Sequence, residues 1–110
     1  MIIEIDTPID EIREPIIKDL KKELTRLHHE YKGISRATVH FRKEEMKPFL
    51  WEYICEIDLA IFGNSIIVSR KTGNWDAAAK EAILAVTNKI NELARKENQP
   101  PDEEISTVNV

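Results

Sequence analysis

Lys18, Lys22 and Arg26 follow one another at intervals of four, with Lys21 beside them and Lys32 further on. On a helix that interval stacks side chains on one face, so the series suits contact with a row of phosphates. The same residues also suit a plainer role. Asp19 and Glu23 stand next to Lys22 in helical spacing, and a solvated face of such pairs is worth only about a few tenths of a kcal/mol. Arg70-Lys71, together with Arg36, His40 and Arg42, would extend a positive surface, unless Glu52, Glu56 and Asp58 pair with them across strands.

Other chemistries find less support. His28 and His29 are adjacent, so on a helix they point about 100° apart and cannot share one metal ion in the usual i, i+4 arrangement. They read as solvated histidines near a helix end, or as hydrogen-bonding and stacking groups against RNA. Cys55 falls in the middle of an alternating run, where a small buried thiol is the expectation rather than a nucleophile. A glycine-rich phosphate loop, a paired-cysteine motif and a serine nucleophile turn are all missing from the sequence. The expectation is a non-enzyme with no metal, no cofactor and no small-molecule substrate.

The charges are sorted along the chain. Residues 13–43 hold nine Lys/Arg against four Asp/Glu, whereas residues 44–62 hold one against five and residues 63–96 six against three. Both ends are acidic, and the formal net charge is −4. A basic face on an acidic protein still steers toward phosphate at close range, where the local field outweighs the total.

These side chains need elements to carry them, and 110 residues support one compact domain. Ile2–Ile5 is a short strand signal that stops at Asp6-Thr7-Pro8. A helix follows, its stripe Ile16, Leu20, Leu24, Leu27 and Tyr31 stepping by three or four. It starts either around Pro15 or in a looser turn capped by Asp10, and Gly33 is the expected C′ residue. Ser35–Lys43 alternates, with Ala37, Val39 and Phe41 inward. Residues 44–48 read as a polar connection, Trp51–Phe62 as a strand, Gly63-Asn64 as a two-residue hairpin turn and Ser65–Lys71 as the next strand. Asn74 is placed to cap a long helix whose stripe begins at Trp75; Trp75 reads as a core anchor, or as an aromatic that stacks on a base. Trp51, after Pro48-Phe49-Leu50 at a strand start, is expected to be partly exposed and carries no assigned role. The fold class is α+β: a β-α-β-β-β-α two-layer sandwich, with a four-stranded sheet and two helices packed on one face. The folded domain spans residues 1–97, and residues 98–110 form an acidic tail expected to be disordered, with Ile105–Val108 able to pair with a sheet edge. No apolar run approaches the ~20 residues that cross a bilayer, the N-terminus lacks a signal pattern, and one cysteine fits a reducing compartment. The expected location is the cytoplasm, away from membranes.

This order of elements, with Arg13, Ile16, Lys18 and Leu20 in the first helix, resembles the ribosome hibernation-promoting factor family, also called ribosome-associated inhibitor A or sigma-54 modulation protein. Further likeness lies in Ser69-Arg70-Lys71-Thr72-Gly73-Asn74-Trp75, and in Asn88-Lys89-Ile90 followed by Arg95-Lys96. The resemblance covers about residues 2–97. It implies a protein that binds small-subunit ribosomal RNA in the decoding channel, blocks messenger and transfer RNA by occupancy, and idles the ribosome under stress. It places Lys18, Lys89, Arg95 and Lys96 at the family's basic positions. Asp19 stands where the family commonly has a second lysine, Glu92 replaces an arginine, and Asn98 replaces another lysine. Dimerisation of ribosomes through the C-terminal domain that the longer members add is not expected.

The expected RNA-binding set is therefore Lys18, Lys21, Lys22, Arg26, Arg70, Lys71, Lys89, Arg95 and Lys96, and the expected partner is the small ribosomal subunit. Its rival is a protein-interaction module of the same fold without ribosome affinity, as the acidic segments and Glu92 suggest. One continuous positive face over both helices favours the first, and interleaved charge with an exposed apolar patch favours the second. A double-stranded-RNA-binding module shares part of the element order, but its last helix needs a basic start where Asn74-Trp75-Asp76-Ala77 stands.

Overall fold

Alternating apolar residues along the strands and three-to-four spacing along the helices divide the chain into two layers. The computed structural model describes residues 1–7 and 12–98. Its elements are β1 (Ile2–Asp6), α1 (Glu14–Glu30), β2 (Ile34–Lys47), β3 (Leu50–Ile61), β4 (Asn64–Thr72) and α2 (Trp75–Asn98). The sheet order is β1-β2-β3-β4, with β1 parallel to β2 and the other pairs antiparallel. This is the expected α+β fold in the expected order.

The core lies between the sheet and the helices. Leu20, Leu24 and Leu27 of α1 and Ala82, Val86 and Ile90 of α2 are buried with Val39, Ile57 and Leu59 from the inward strand face. Trp75 sits edge-on to Tyr53 and Phe41, with ring centroids 4.8 and 5.6 Å away. It is the core anchor rather than an exposed stacking group. Asn74 caps α2, its Oδ1 accepting from the Ala77 N–H at 2.8 Å. Of the two starts open to α1, the structure takes the one at Pro15. Arg13 is the cap residue and Pro15 lies in the first turn, where a missing N–H costs little. Asp10 lies outside the described residues, as does the expected tail beyond Asn98.

Several boundaries differ from the sequence expectation. β2 does not stop at Lys43 but continues to Lys47, because Glu44 and Glu45 stay in register opposite Glu52 and Trp51. The turn that follows is Pro48-Phe49, flanked by the pair Lys47 and Leu50. Phe49 has φ 66, the second central position of a type II turn with proline at the first. A phenylalanine held there carries strain on the order of 1 kcal/mol.

The next hairpin turns at Phe62-Gly63, with φ 52 and 78, between paired Ile61 and Asn64. Both positions are left-handed, as a type I′ turn requires, and Asn64 opens β4 instead of sitting in the turn. The Phe62 N–H donates to the Gly33 carbonyl at 3.2 Å. The Phe62 ring occupies the space a Cβ on Gly33 would need, 2.2 Å from that position. Gly33 does not serve as a left-handed helix terminator, since its φ is not positive. Tyr31 ends α1, its N–H bonding the Leu27 carbonyl at 2.8 Å.

Candidate nucleic-acid interface

Helix α1 turns its leucines to the sheet, which leaves the opposite side to Lys18, Lys21 and Lys22, all exposed. At spacings of three and four these form one patch, and none of them has an ion pair among the described residues. Arg26 is different. It holds Glu23 at 3.0 Å and Glu30 at 3.2 Å, and the Glu23 hydrogen bond, then its charge, raises the guanidinium pKa. The pairs Asp19–Lys22 and Lys22–Glu23, open from sequence, are not the ones that form.

The two helices run side by side. Ile16, Leu20 and Lys22 of α1 line a groove of about 370 Å³ with Ala79, Lys80 and Ile83 of α2, and Asp19, Glu23 and Asp76 border it. Further along, the Tyr31 hydroxyl donates to Asn91 Oδ1. Lys80 is held by Asp76 at 3.2 Å. The seam between the helices is thus interleaved in charge rather than uniformly positive. Lys89 lies on the other side of α2, in a shallow depression with Glu92, Leu93 and the β4 residues Asn64 to Ile66. Arg95 is exposed. The side chain of Lys96 lies outside the described residues.

Arg70 and Lys71 point to opposite faces, because strand neighbours alternate. Arg70 is on the helix side opposite Cys55 and donates from Nη1 to the Ser69 carbonyl at 2.8 Å. Lys71 is on the open side, 3.7 Å from Glu44. On that open side the ion pairs left as an alternative do form, largely with partners the sequence did not suggest. Arg36 meets Glu4 at 3.8 Å and His40 meets Asp6 at 3.4 Å, both on β1, while Arg42 meets Glu56 at 3.5 Å and Glu44 at 3.8 Å. The parallel register of β1 and β2 creates the first two. Ile54, flanked in register by Arg42 and Lys71, is fully buried on this helix-free face. Glu44 meets both of these cations.

Among the described residues the expected set therefore separates into a trio on α1 without ion pairs, a neutralised group at Arg26 and Lys71, and dispersed cations at Arg70, Lys89 and Arg95. His28 and His29 do not converge. Their ring centroids are 6.3 Å apart, and the His28 Nδ1 is buried without a hydrogen-bond partner. Among the described residues no group of three His, Cys, Asp or Glu is placed to hold a metal ion. Cys55 is buried, and desolvation pushes its thiol up to about 12. No described helix is long and apolar enough to cross a membrane. The sequence reading expected partial exposure at Trp51 but missed that Met46, Phe49 and Leu50 join it in one exposed cluster. Its signal was Pro48 between two alternating runs, which marks the tip of a hairpin rather than a loop.

No protein-family model and no curated protein matches the sequence. Solved structures do match. A ribosomal subunit interface protein from Coxiella burnetii has a TM-score of 0.67 at 12% identity, covering 86% of this chain and 99% of that one. The N-terminal domain of Thermus thermophilus Protein Y has a TM-score of 0.66 at 20% identity, covering 84% of this chain and 99% of that one. The β-α-β-β-β-α fold expected from the sequence is thus met in both solved structures. At these identities the likeness is one of fold, on which sites still have to be argued residue by residue.

Proposed function

We propose that the protein is a ribosome-associated inhibitor that docks on the small subunit, contacts its RNA through the outer face of α1, and blocks messenger and transfer RNA by occupancy. One observation carries this reading: Lys18, Lys21 and Lys22 form a cationic patch without an ion pair among the described residues, on a fold shared with a protein named for the ribosomal subunit interface. Affinity comes from lysine–phosphate contact with release of counterions, and specificity from fit to a folded RNA cleft. Lys89, Arg95, Lys96 and Arg70 add contacts at its margins. Arg26 and Lys71 add little, since their charge is already met by Glu23, Glu30 and Glu44. No covalent step is involved, and the site of action is the cytoplasm.

The test is co-sedimentation of purified protein with purified small subunits. Three phosphate contacts give a log–log dependence on salt with a slope of roughly −2 to −3. Lys18→Glu, Lys21→Glu and Lys22→Glu together abolish binding while the fold survives, and Arg26→Glu alone weakens it only slightly. Unaltered pelleting of the triple variant defeats the reading.

A second reading, a protein-interaction module of the same fold, is favoured by the interleaved charge along the helix seam and by the apolar hairpin tip. In that case neither salt nor the triple substitution alters ribosome binding, because there is none.

A further inference from the structure

The β2–β3 ribbon outruns both of its neighbours. β1 pairs with β2 only as far as His40, and β4 pairs with β3 only as far as Tyr53. Among the described residues, no third strand pairs with the two from Glu44 to Glu52. At the tip Met46, Leu50 and Trp51 are exposed and Phe49 is 98% exposed. Elsewhere the exposed large apolar residues are scattered, as at Ile2, Phe62, Ile67 and Leu84, which is ordinary for a protein surface. Four within six residues are not scattered.

Phe49 adds a second observation. It occupies a left-handed turn position, φ 66, that glycine or asparagine would take with less strain. Its side chain touches water on nearly every side, so nothing in the folded chain accounts for an aromatic there. Strain at an exposed, apolar tip points to a contact made with another molecule.

Charge indicates what kind of molecule. Glu45 and Glu52 carry no ion pair among the described residues, against Lys47 as the one unpaired cation of the ribbon. Lys43 Nζ lies 4.8 Å from the Trp51 ring centroid and covers one face of the aromatic best suited to stacking on a base. Methionine and leucine offer no stacking surface, which leaves Phe49 as the open ring and the surrounding charge to decide between a base and an apolar pocket. Carboxylates around an apolar projection repel phosphate and complement a pocket rimmed by Lys or Arg.

We infer that the β2–β3 tip is a second docking element, inserting Phe49 into an apolar pocket rimmed by basic side chains on a protein component of the small subunit. The inference rests on the ribosomal reading above and supplies its specificity: α1 holds RNA, and the hairpin selects a protein neighbour. Aromatic anchors of this type commonly carry much of an interface's affinity.

Phe49→Gly tests it with intact small subunits and with the same ribosomal RNA freed of protein. The variant weakens binding to intact subunits by about 10-fold or more, keeps the wild-type salt slope and the wild-type affinity for free RNA, and melts no lower than wild type. Glu45→Lys with Glu52→Lys also weakens binding to subunits; a phosphate partner would make it stronger. Benzoylphenylalanine placed at position 49 gives a protease-sensitive adduct. Wild-type affinity of Phe49→Gly for intact subunits, tighter binding of the double lysine variant, or an adduct carried by RNA overturns the inference and leaves the α1 reading standing. Failure of the wild type itself to bind subunits overturns both.

Discussion

Cys55 shows how position sets the chemistry of a side chain. It is opposite Phe41 and Arg70 in the middle of the sheet, on the face the helices cover. Loss of solvation, with a smaller contribution from the Glu56 charge, raises its thiol from 9.0 to about 12. Between those values the unfolded chain has released the proton and the folded chain has kept it. Stability tied to this residue is thus complete below about pH 9 and is lost as pH rises toward 12. Relative to Cys55→Ala, the wild type loses up to about 1.4 kcal/mol per pH unit in that window, as measured by chemical denaturation. A parallel decline in both proteins would contradict the buried thiol. The alternating pattern was enough to expect this burial. It was not enough to distinguish Arg26 from Lys18, because both sit on the exposed part of the same helix. Which of them meets a carboxylate depends on rotamers that spacing leaves open.

Among the elements, the hairpins depart most from what the sequence suggested. A two-residue turn signal at Gly63-Asn64 was legible, yet the turn forms one residue earlier because Phe62 is drawn toward Gly33 by a backbone hydrogen bond and a ring contact. These residues are nearly thirty apart in sequence, and no local propensity reports the contact. It has a measurable consequence. Gly33→Ala places a methyl group where the Phe62 ring lies, displacing the ring at a cost of about 1 kcal/mol or more. Phe62→Gly frees that space and relieves the left-handed strain at φ 52. In the Phe62→Gly background, Gly33→Ala therefore loses most of its effect, and a double-mutant cycle by denaturation reads the coupling. Additive changes would show that the ring contact is not what excludes a side chain at Gly33. The extension of β2 to Lys47 has a similar origin. Glu44 and Glu45 look like connection by composition, but the ladder to Glu52 and Trp51 and the pairing of Glu44 with Arg42 and Lys71 keep them in the sheet.

At the scale of the whole molecule, charge on the open sheet face is arranged differently from charge on α1. The sheet pairs Arg36–Glu4, Arg42–Glu56 and Lys71–Glu44 are half exposed or more on at least one partner, and such pairs contribute only about 0–1 kcal/mol each. Raising salt therefore leaves the melting temperature nearly unchanged, while the small-subunit binding proposed for the α1 lysines falls steeply. Thermal melts and sedimentation over one salt series separate the two. Equal sensitivity of both would mean that the same cations serve the fold and the docking surface. The order of elements, the inward faces of the strands, the leucine stripe of α1, the Asn74 cap and the Trp75 anchor were all determined by the sequence, because each follows from local periodicity and capping chemistry. Only the tertiary structure decided that β1 lies parallel to β2 and answers Arg36 and His40, that Arg70 and Lys71 part to opposite faces, and that an apolar hairpin projects past its neighbours. Those outcomes depend on which distant segments share a ladder, and the energy that selects a ladder is spread over the whole core rather than written in any one stretch of chain.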